Sequence, residues 1–310
     1  MIINNNLAAN NTHRQLSSVS NFASKSMERL SSGMRINRAA DDAAGLSISE
    51  NMRNQIRGLN QAERNAQDGI SLIQTAEGGL NEMHSILQRV RELTVQAGNG
   101  TNSDNERGTI QNEIEELVSE IDSIAGRTEF NGEKLLETRD AAGDLQMTGT
   151  TADPKSITLQ IGANQGQQLT FEITAMNSET LGTDAGTAPD GAGGTVTTQA
   201  FRLEDIDVKN FDTATGGTSF DDQLGAIDAA IKQVSDLRSN LGATQNRLEY
   251  NINSLKTSAE NITSAESRIR DVDMAKEMMS FTKNNILSQA AQSMLAQANQ
   301  QPQAVLQLLR

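Results

Sequence analysis

Asp41 and Asp42 are adjacent carboxylates in the stretch LSSGMRINRAADDAAGLSISENMR (Leu30–Arg53), which also carries Arg35, Arg38, Glu50 and Arg53 among small residues. Two carboxylates this close could share acid–base work or hold a cation, provided they converged on one atom. Neighbouring helical residues project about 100° apart, so these two do not converge. A cap or ion-pair role is the simpler reading. Histidine offers no better candidate: His13 and His84 are the only two and lie far apart in sequence. There is no H-E-x-x-H, no G-x-S-x-G and no G-x-x-x-x-G-K-[ST]. Cysteine is absent, which removes thiolate nucleophiles, thiolate metal sites and disulfides. Glu113, Glu115, Glu116 and Glu120 read as the solvated face of a helix. The residues therefore predict neither an enzyme nor a cofactor or metal site.

The elements that hold these residues follow from composition and spacing. The 310-residue chain is 36% hydrophobic and has no tryptophan and one tyrosine, Tyr250. A globular norm of about 45–50% apolar, glycine included, makes one large round core improbable here. Long helices that share narrow seams fit better. Net charge is −14, which disfavours general nucleic-acid or anionic-membrane binding. The charge is uneven: residues 1–43 and 274–310 are each net +2, while 141–220 are net −7. The opening MIINNNLAANNTHRQL has neither a basic n-region nor an apolar h-region, so no Sec-type signal is expected. With no apolar run of about 18 residues, no spanning helix is expected either. A cytoplasmic protein, or export by a route without a cleaved signal, is implied.

Leu16, Val19, Ala23, Met27, Leu30 and Met34 recur at helical steps behind an Asn-rich lead. A second helix is predicted from about Leu46 to Ala97, and GNGTNSDNERG (Gly98–Gly108) is a turn. Ile110, Ile114, Leu117, Ile121 and Ile124 predict a third helix folding back on the second. Residues 141–220 hold 11 of the 24 glycines. There SITLQIGAN and QQLTFEITAM alternate around QGQ, as in a β-hairpin, and Leu181–Gln199 reads as surface loop. Helical spacing returns at Phe220 for about 40 residues, and Ile286, Leu287, Met294 and Leu295 form a last thin stripe. The expected fold is mainly α: a long antiparallel helical hairpin or coiled coil with pairing terminal helices and a small β-hairpin insert. The terminal stripes are too thin to offset about 1–2 kcal/mol per residue of backbone ordering alone, so they are either disordered tails or, as the sustained seam spacing favours, fold by packing on each other and on neighbouring copies in an open-ended assembly.

The segment LSSGMRINRAADDAAGLSISENMRNQIRGLNQAERNAQDGISLIQTAEGGLNEMHSILQRVRELTVQAGNGT resembles the N-terminal signature of bacterial flagellins. TEFNGEKLL (Thr128–Leu136) resembles the stretch that follows it in that family. LGATQNRLEYNINSL and ENITSAESRIRDVDMAKEMMSFTKNNILSQAAQSMLAQANQQPQAVLQLLR resemble the family's C-terminus. The likeness covers about 1–140 and 215–310 and implies a short member with a small variable region. It implies a subunit of the helical filament used for swimming, located outside the cell in the flagellum, exported unfolded without a cleaved signal and added at the distal tip. A hook–filament junction protein is the alternative.

The resemblance divides the chain into three parts. Residues 1–43 with 269–310 would form an inner terminal coiled coil. Residues 44–180 with 215–268 would form an outer-shell helical domain with a hairpin at about 155–176, and 181–214 a short variable surface loop. Arg35, Arg38, Asp41, Asp42 and Gly45 would join the inner tube to the outer shell and meet Arg268, Arg270, Asp271 and Asp273, within or between subunits. The terminal seam would use Leu16, Met27, Leu30, Met34, Ile286, Leu287, Met294, Leu295, Leu306 and Leu309. Arg89, Leu93 and Glu113 match the patch by which Toll-like receptor 5 senses family members. The other implied partners are further copies of the chain, an export chaperone on the C-terminal stripe, and the filament cap and hook-junction proteins.

Overall fold

The computed structural model describes residues 6–137, 147–148, 151–152, 155–183, 187–189, 195–197, 201–209 and 219–308. Among these run five α-helices: α1 (Leu7–Ser32), α2 (Ala43–Ala97), α3 (Asp104–Arg127), α4 (Phe220–Arg270) and α5 (Met274–Leu308). None is long and apolar enough to cross a membrane. The chain divides into two compact units, Met1–Arg57 with Thr257–Arg310, and Gly58–Lys256.

The Gly58–Lys256 unit carries the larger core. On α2 the fully buried residues Ile73, Ala76, Leu80, Met83, Leu87 and Val90 step alternately by three and four. On α4, Ile227, Ala230, Val234, Leu237 and Leu241 do the same. This spacing keeps one stripe of each helix turned toward a partner, as in a coiled coil. Ile110, Ile114, Ile121 and Ala125 of α3 join the same cluster. Each buried Leu, Ile or Met contributes about 1.5–3 kcal/mol. The turn into α3 is closed by the Ser103 N–H donating to the Glu106 carboxylate at 2.7 Å, which lowers the pKa of Glu106.

The hairpin expected at about 155–176 forms as Lys155–Gln160 paired antiparallel with Gln168–Ile173, Ile157 facing Phe171. Leu169, Phe171 and Ile173 are buried while Gln168, Thr170 and Glu172 are exposed, the alternation of a half-buried strand. It lies close on α2. A β-carbon at Gly58 would come within 2.8 Å of the Ala163 side chain, and one at Gly69 would overlap Leu159. Eleven residues separate these glycines, so both fall on one helical face. The Asn65 amide fastens the hairpin by donating to the Gln160 carbonyl at 3.0 Å. TEFNGEKLL holds a smaller hairpin, Glu129–Phe130 against Glu133–Lys134. Its turn residues Asn131 and Gly132 have φ of 54° and 79°, the left-handed pair that this tight turn requires.

Side-chain amides stitch the returning chain to the helices. Buried Gln111 of α3 donates to the Ile206 carbonyl and accepts from the Val208 N–H, both at 2.9 Å. Gln233 of α4 exchanges two hydrogen bonds with the backbone of Gly182. Parts of the expected loop 181–214, namely 184–186, 190–194, 198–200 and 210–214, lie outside the described residues.

In the terminal unit α1 packs along α5. The helix begins at Leu7 and so takes in Asn10 and Asn11. Asn6 explains this. Its side-chain oxygen accepts from the Ala9 N–H at 3.1 Å, while its amide donates to the Ala298 carbonyl at 2.8 Å.

Replacing Gln111 with Leu removes both of its hydrogen bonds and orphans a buried carbonyl and a buried N–H. A loss of about 2–4 kcal/mol is expected in urea unfolding of the monomer. Amide exchange should rise at Val208 without change at Leu80.

Candidate functional site

The charged stretch of Leu30–Arg53 spans the end of α1, the link at 33–42 and the start of α2. It meets the link between α4 and α5. α1 ends at Gly33, whose φ of 70° is left-handed and whose N–H closes on the Arg29 carbonyl. The two links then pair as backbone: Met34 bridges Asp271 antiparallel, the Arg35 N–H donates to the Arg270 carbonyl at 2.7 Å, and the Val272 N–H donates to the Gly33 carbonyl at 3.0 Å. Met34 therefore lies in this link and not in the helical seam where its spacing puts it. Its sulfur accepts from the Arg270 Nε at 3.1 Å.

Each charged side chain has a definite partner. The Arg35 guanidinium donates to the Ile269 carbonyl, at 2.6 Å from Nη2, and so closes the C-terminus of α4. Arg38 pairs with Glu28 at 2.9 Å. Asp41 accepts from the N–H groups of Asn37 and Arg38 and pairs with Lys25 at 2.7 Å. Asp42 caps α2 by accepting from the Gly45 N–H at 2.9 Å, and Asp273 caps α5 by accepting from the Lys276 N–H at 3.1 Å. Arg270, its side chain 12% exposed, reaches Glu50 at 2.6 Å. Arg268 donates to Ser264, and Asp271 accepts from Ser267. Within one chain the two links thus meet through backbone, caps and Arg–carbonyl bonds. Side-chain pairs between Arg35, Arg38, Asp41 or Asp42 and Arg268, Arg270, Asp271 or Asp273 are not among them. Sequence spacing could not show this, because Lys25 and Glu28 lie in α1 before the charged stretch and Glu50 lies two turns into α2.

Gly45 is buried in the first turn of α2, beside the first link. A β-carbon there would sit 2.5 Å from Asp42 Oδ2 and 2.9 Å from Ile36 Cδ1. Ile36 is itself 1% exposed and has no room to yield, while Asp42 is exposed and would have to shift the carboxylate that caps α2. The Lys25 ammonium, together with the Arg38 and Asn37 amides, holds the Asp41 carboxyl at a pKa of about 2 against the opposing effect of its burial. Arg270 lowers Glu50 in the same way. Among the described residues no group of three or more His, Cys, Asp or Glu could hold a metal ion. The arrangement is one of fastening, with no groups aimed at a common reacting atom.

The remaining sequence candidates are scattered. Arg89 pairs with Glu113 at 2.9 Å, both side chains about half exposed, and this raises the Arg89 pKa. Leu93 is buried at 2% exposure, beneath this pair's helix face rather than on it. Of the terminal stripe, Leu16, Leu30 and Leu295 are half-buried, while Met27, Ile286, Leu287 and Met294 are exposed. The seam's buried positions include Val19, Ser26, Ala291 and Ala298, small residues that a search for large apolar side chains passes over. Leu306 lies in α5, and Leu309 lies outside the described residues.

The bacterial flagellin N-terminal helical region matches residues 3–141 and the flagellin C-terminal helical region matches 224–309. A flagellin of Bacillus subtilis (strain 168) is 57% identical over the whole of both chains. The chain belongs to the flagellin family. A flagellin of Halalkalibacterium halodurans is 51% identical, again across the full length of both. The flagellar filament 33 kDa core protein of Treponema phagedenis is 46% identical over both full lengths. A Vibrio parahaemolyticus structure described as a flagellar hook-associated protein has a TM-score of 0.56 at 16% identity. It covers 74% of this chain and 100% of that one, so it shares the fold alone. Full-length identity to flagellins, absent for that structure, is what separates filament from junction. This flagellin is a structural, non-enzymatic subunit of the extracellular flagellar filament that serves motility.

Three outcomes follow from the link geometry. Gly45→Ala should cost about 1–3 kcal/mol through overpacking. Asp42→Ala, which removes only the cap, should cost about 0.5–2 kcal/mol, both read as thermal loss of helix by circular dichroism. Asp41 has a folded-state pKa below its unfolded value, so its contribution is present above about pH 4 and is lost as pH falls through about 2. An Asp41→Asn variant should therefore show a smaller loss of stability between pH 4 and 2 than the parent.

Proposed function

We propose that the chain is exported unfolded and added at the distal tip of the filament. There 1–43 with 269–310 line the inner tube and 44–180 with 215–268 form the shell around it. The terminal helices supply the contacts between copies. The observation that carries this reading is apolar surface left over by the α1–α5 seam. Ala291 and Ala298 mark the covered face of α5. Ile286 and Met279 lie about 120–140° round the helix from Ala291. They are 61% and 67% exposed. Phe22 of α1 is 59% exposed and Met294 of α5 is 61% exposed. Large apolar residues displayed at this density are unfavourable for a lone chain and favour burial against further copies.

The same stripe, Ile286 to Leu309, suits an export chaperone that shields it before assembly. The filament cap and hook-junction proteins would meet the subunit at the two ends of the polymer. Arg89 and Glu113 form the exposed part of a Toll-like receptor 5 patch, with Leu93 supporting them from beneath. The link residues Arg35, Arg38, Asp41, Asp42, Gly45, Arg268, Arg270, Asp271 and Asp273 hold the angle at which the terminal helices leave the long ones.

Electron microscopy of seeded growth tests this reading, comparing the full chain with a chain lacking 1–43 and 274–310. Only the full chain should form long tubes, and growth of the truncated chain would overturn the role of the termini. Ile286→Asp, a change at an exposed position, should leave monomer secondary structure intact and raise the critical concentration for growth at least tenfold. For the receptor patch, Arg89→Asp should lower monomer activity in a Toll-like receptor 5 reporter assay about tenfold or more. Unchanged activity would remove Arg89 from the patch.

A further inference from the structure

The α1–α5 seam leaves open a cleft of about 290 Å³ inside the terminal unit. Phe22 forms an apolar wall, and Lys25, Ser26 and Arg29 complete the α1 side. These four fall on one helical face, at steps of three, one and three. From α5 come Glu277, Ser280, Lys283 and Asn284.

The lining is rich in donors that the chain does not use. Lys25 is engaged by Asp41 at 2.7 Å. Arg29 faces Glu277 only at 4.0 Å, and its Nε is buried with no hydrogen-bond partner. Ser26 is buried at 6% exposure. Among the described residues, the side chains of Ser26, Ser280, Lys283 and Asn284 have neither a hydrogen-bond nor an ion-pair partner. The buried Arg29 Nε–H without a partner is the unfavourable group, and the unpaired donors beside it can serve an acceptor. With Lys25 held by Asp41, Arg29 and Lys283 stand against the single carboxylate of Glu277, an excess of positive charge that suits a negative acceptor.

We propose that this cleft is an oxyanion site, filled by sulfate or phosphate from solution or by a carboxylate of a neighbouring copy. The Arg29 guanidinium and Lys283 Nζ meet the charge, and the Ser26 and Ser280 hydroxyls and the Asn284 amide donate to the remaining oxygens. Glu277 opposes the anion and keeps the affinity modest. Occupancy neutralises like charges that face each other across the seam, and so tightens α1 on α5 as subunits join. The proposal rests on the filament reading and adds a ligand to it.

The experiment uses filaments of the full chain, with Lys283→Gln and Lys283→Arg variants beside the parent. Lys283 is exposed and unpaired, so neither variant threatens folding. Radiolabelled sulfate is co-sedimented with filaments at fixed ionic strength made up with chloride. With a free anion in the cleft, the parent binds sulfate saturably at about one per subunit. Lys283→Gln then weakens that binding about tenfold or more, and Lys283→Arg keeps it. With a neighbour's carboxylate there, sulfate does not saturate. In that case Lys283→Gln raises the critical concentration for growth in chloride about tenfold, and Lys283→Arg restores it. Two results overturn the site: saturable sulfate indifferent to Lys283→Gln, or no saturable sulfate with Lys283→Gln growing as the parent does. Growth of the parent in the same assay reports separately on the filament reading.

Discussion

A chain this poor in aromatic residues has to build its interior from narrow seams, and the three-and-four spacing along α2 and α4 is what makes a seam possible. Buried Ile, Leu, Val, Met and Ala meet along one stripe of each helix, and α3 and the hairpin close the cluster. The stripe is thin, so depth cannot come from large rings. It comes from length, repeated over many turns. The glycines on α2 serve the same end. By removing side chains at Gly58 and Gly69 the helix lets the hairpin approach closely, and the strand's Leu159 fills the space.

Polar groups then do what a larger core would do elsewhere. Gln111, Gln233 and Asn65 hold irregular backbone against the helices by satisfying carbonyls and N–H groups that would otherwise be buried unpaired. At the links the same economy appears with charge. Asp42 and Asp273 cap helices, Arg35 closes the end of another, and Asp41 folds its own link around itself while gripping Lys25. Exposed ion pairs of this kind are worth only about 0–1 kcal/mol each. Their effect is directional: they fix where one helix stops and the next begins. A filament that repeats one subunit many times depends on such angles, since a small error in each is added along its length.

The terminal unit is stable in a different sense. Its seam is made largely of small residues such as Ser26, Ala291 and Ala298, which bring α1 and α5 close but bury little area. Several of its larger apolar side chains, among them Phe22, Met279, Ile286 and Met294, are exposed. A helix pair built this way holds its alignment while leaving most of its hydrophobic free energy for contact with other copies. The absence of cysteine suits a polymer exposed to an oxidising exterior, where stray cross-links would trap wrong contacts.

Much of this was determined by the sequence alone. Periodicity is a local property, so the helices, the alternating hairpin and the main-α class could be read from spacing, and adjacent carboxylates could be set aside as catalysts by helix geometry. The long matching arms carried the family. What the sequence could not decide was which charge meets which. Asp41 and Asp42 look alike in the chain, yet one binds Lys25 and the other caps a helix. Leu93 and Met34 have the same apolar character as their neighbours, yet one is buried in the core and the other lies in a link. At the links the outcome depends on the direction in which the backbone turns at Gly33 and on how much room Gly45 leaves beside Ile36. Both are settled only when distant segments close on one another, because a contact between residues more than two hundred positions apart has no signature in local spacing.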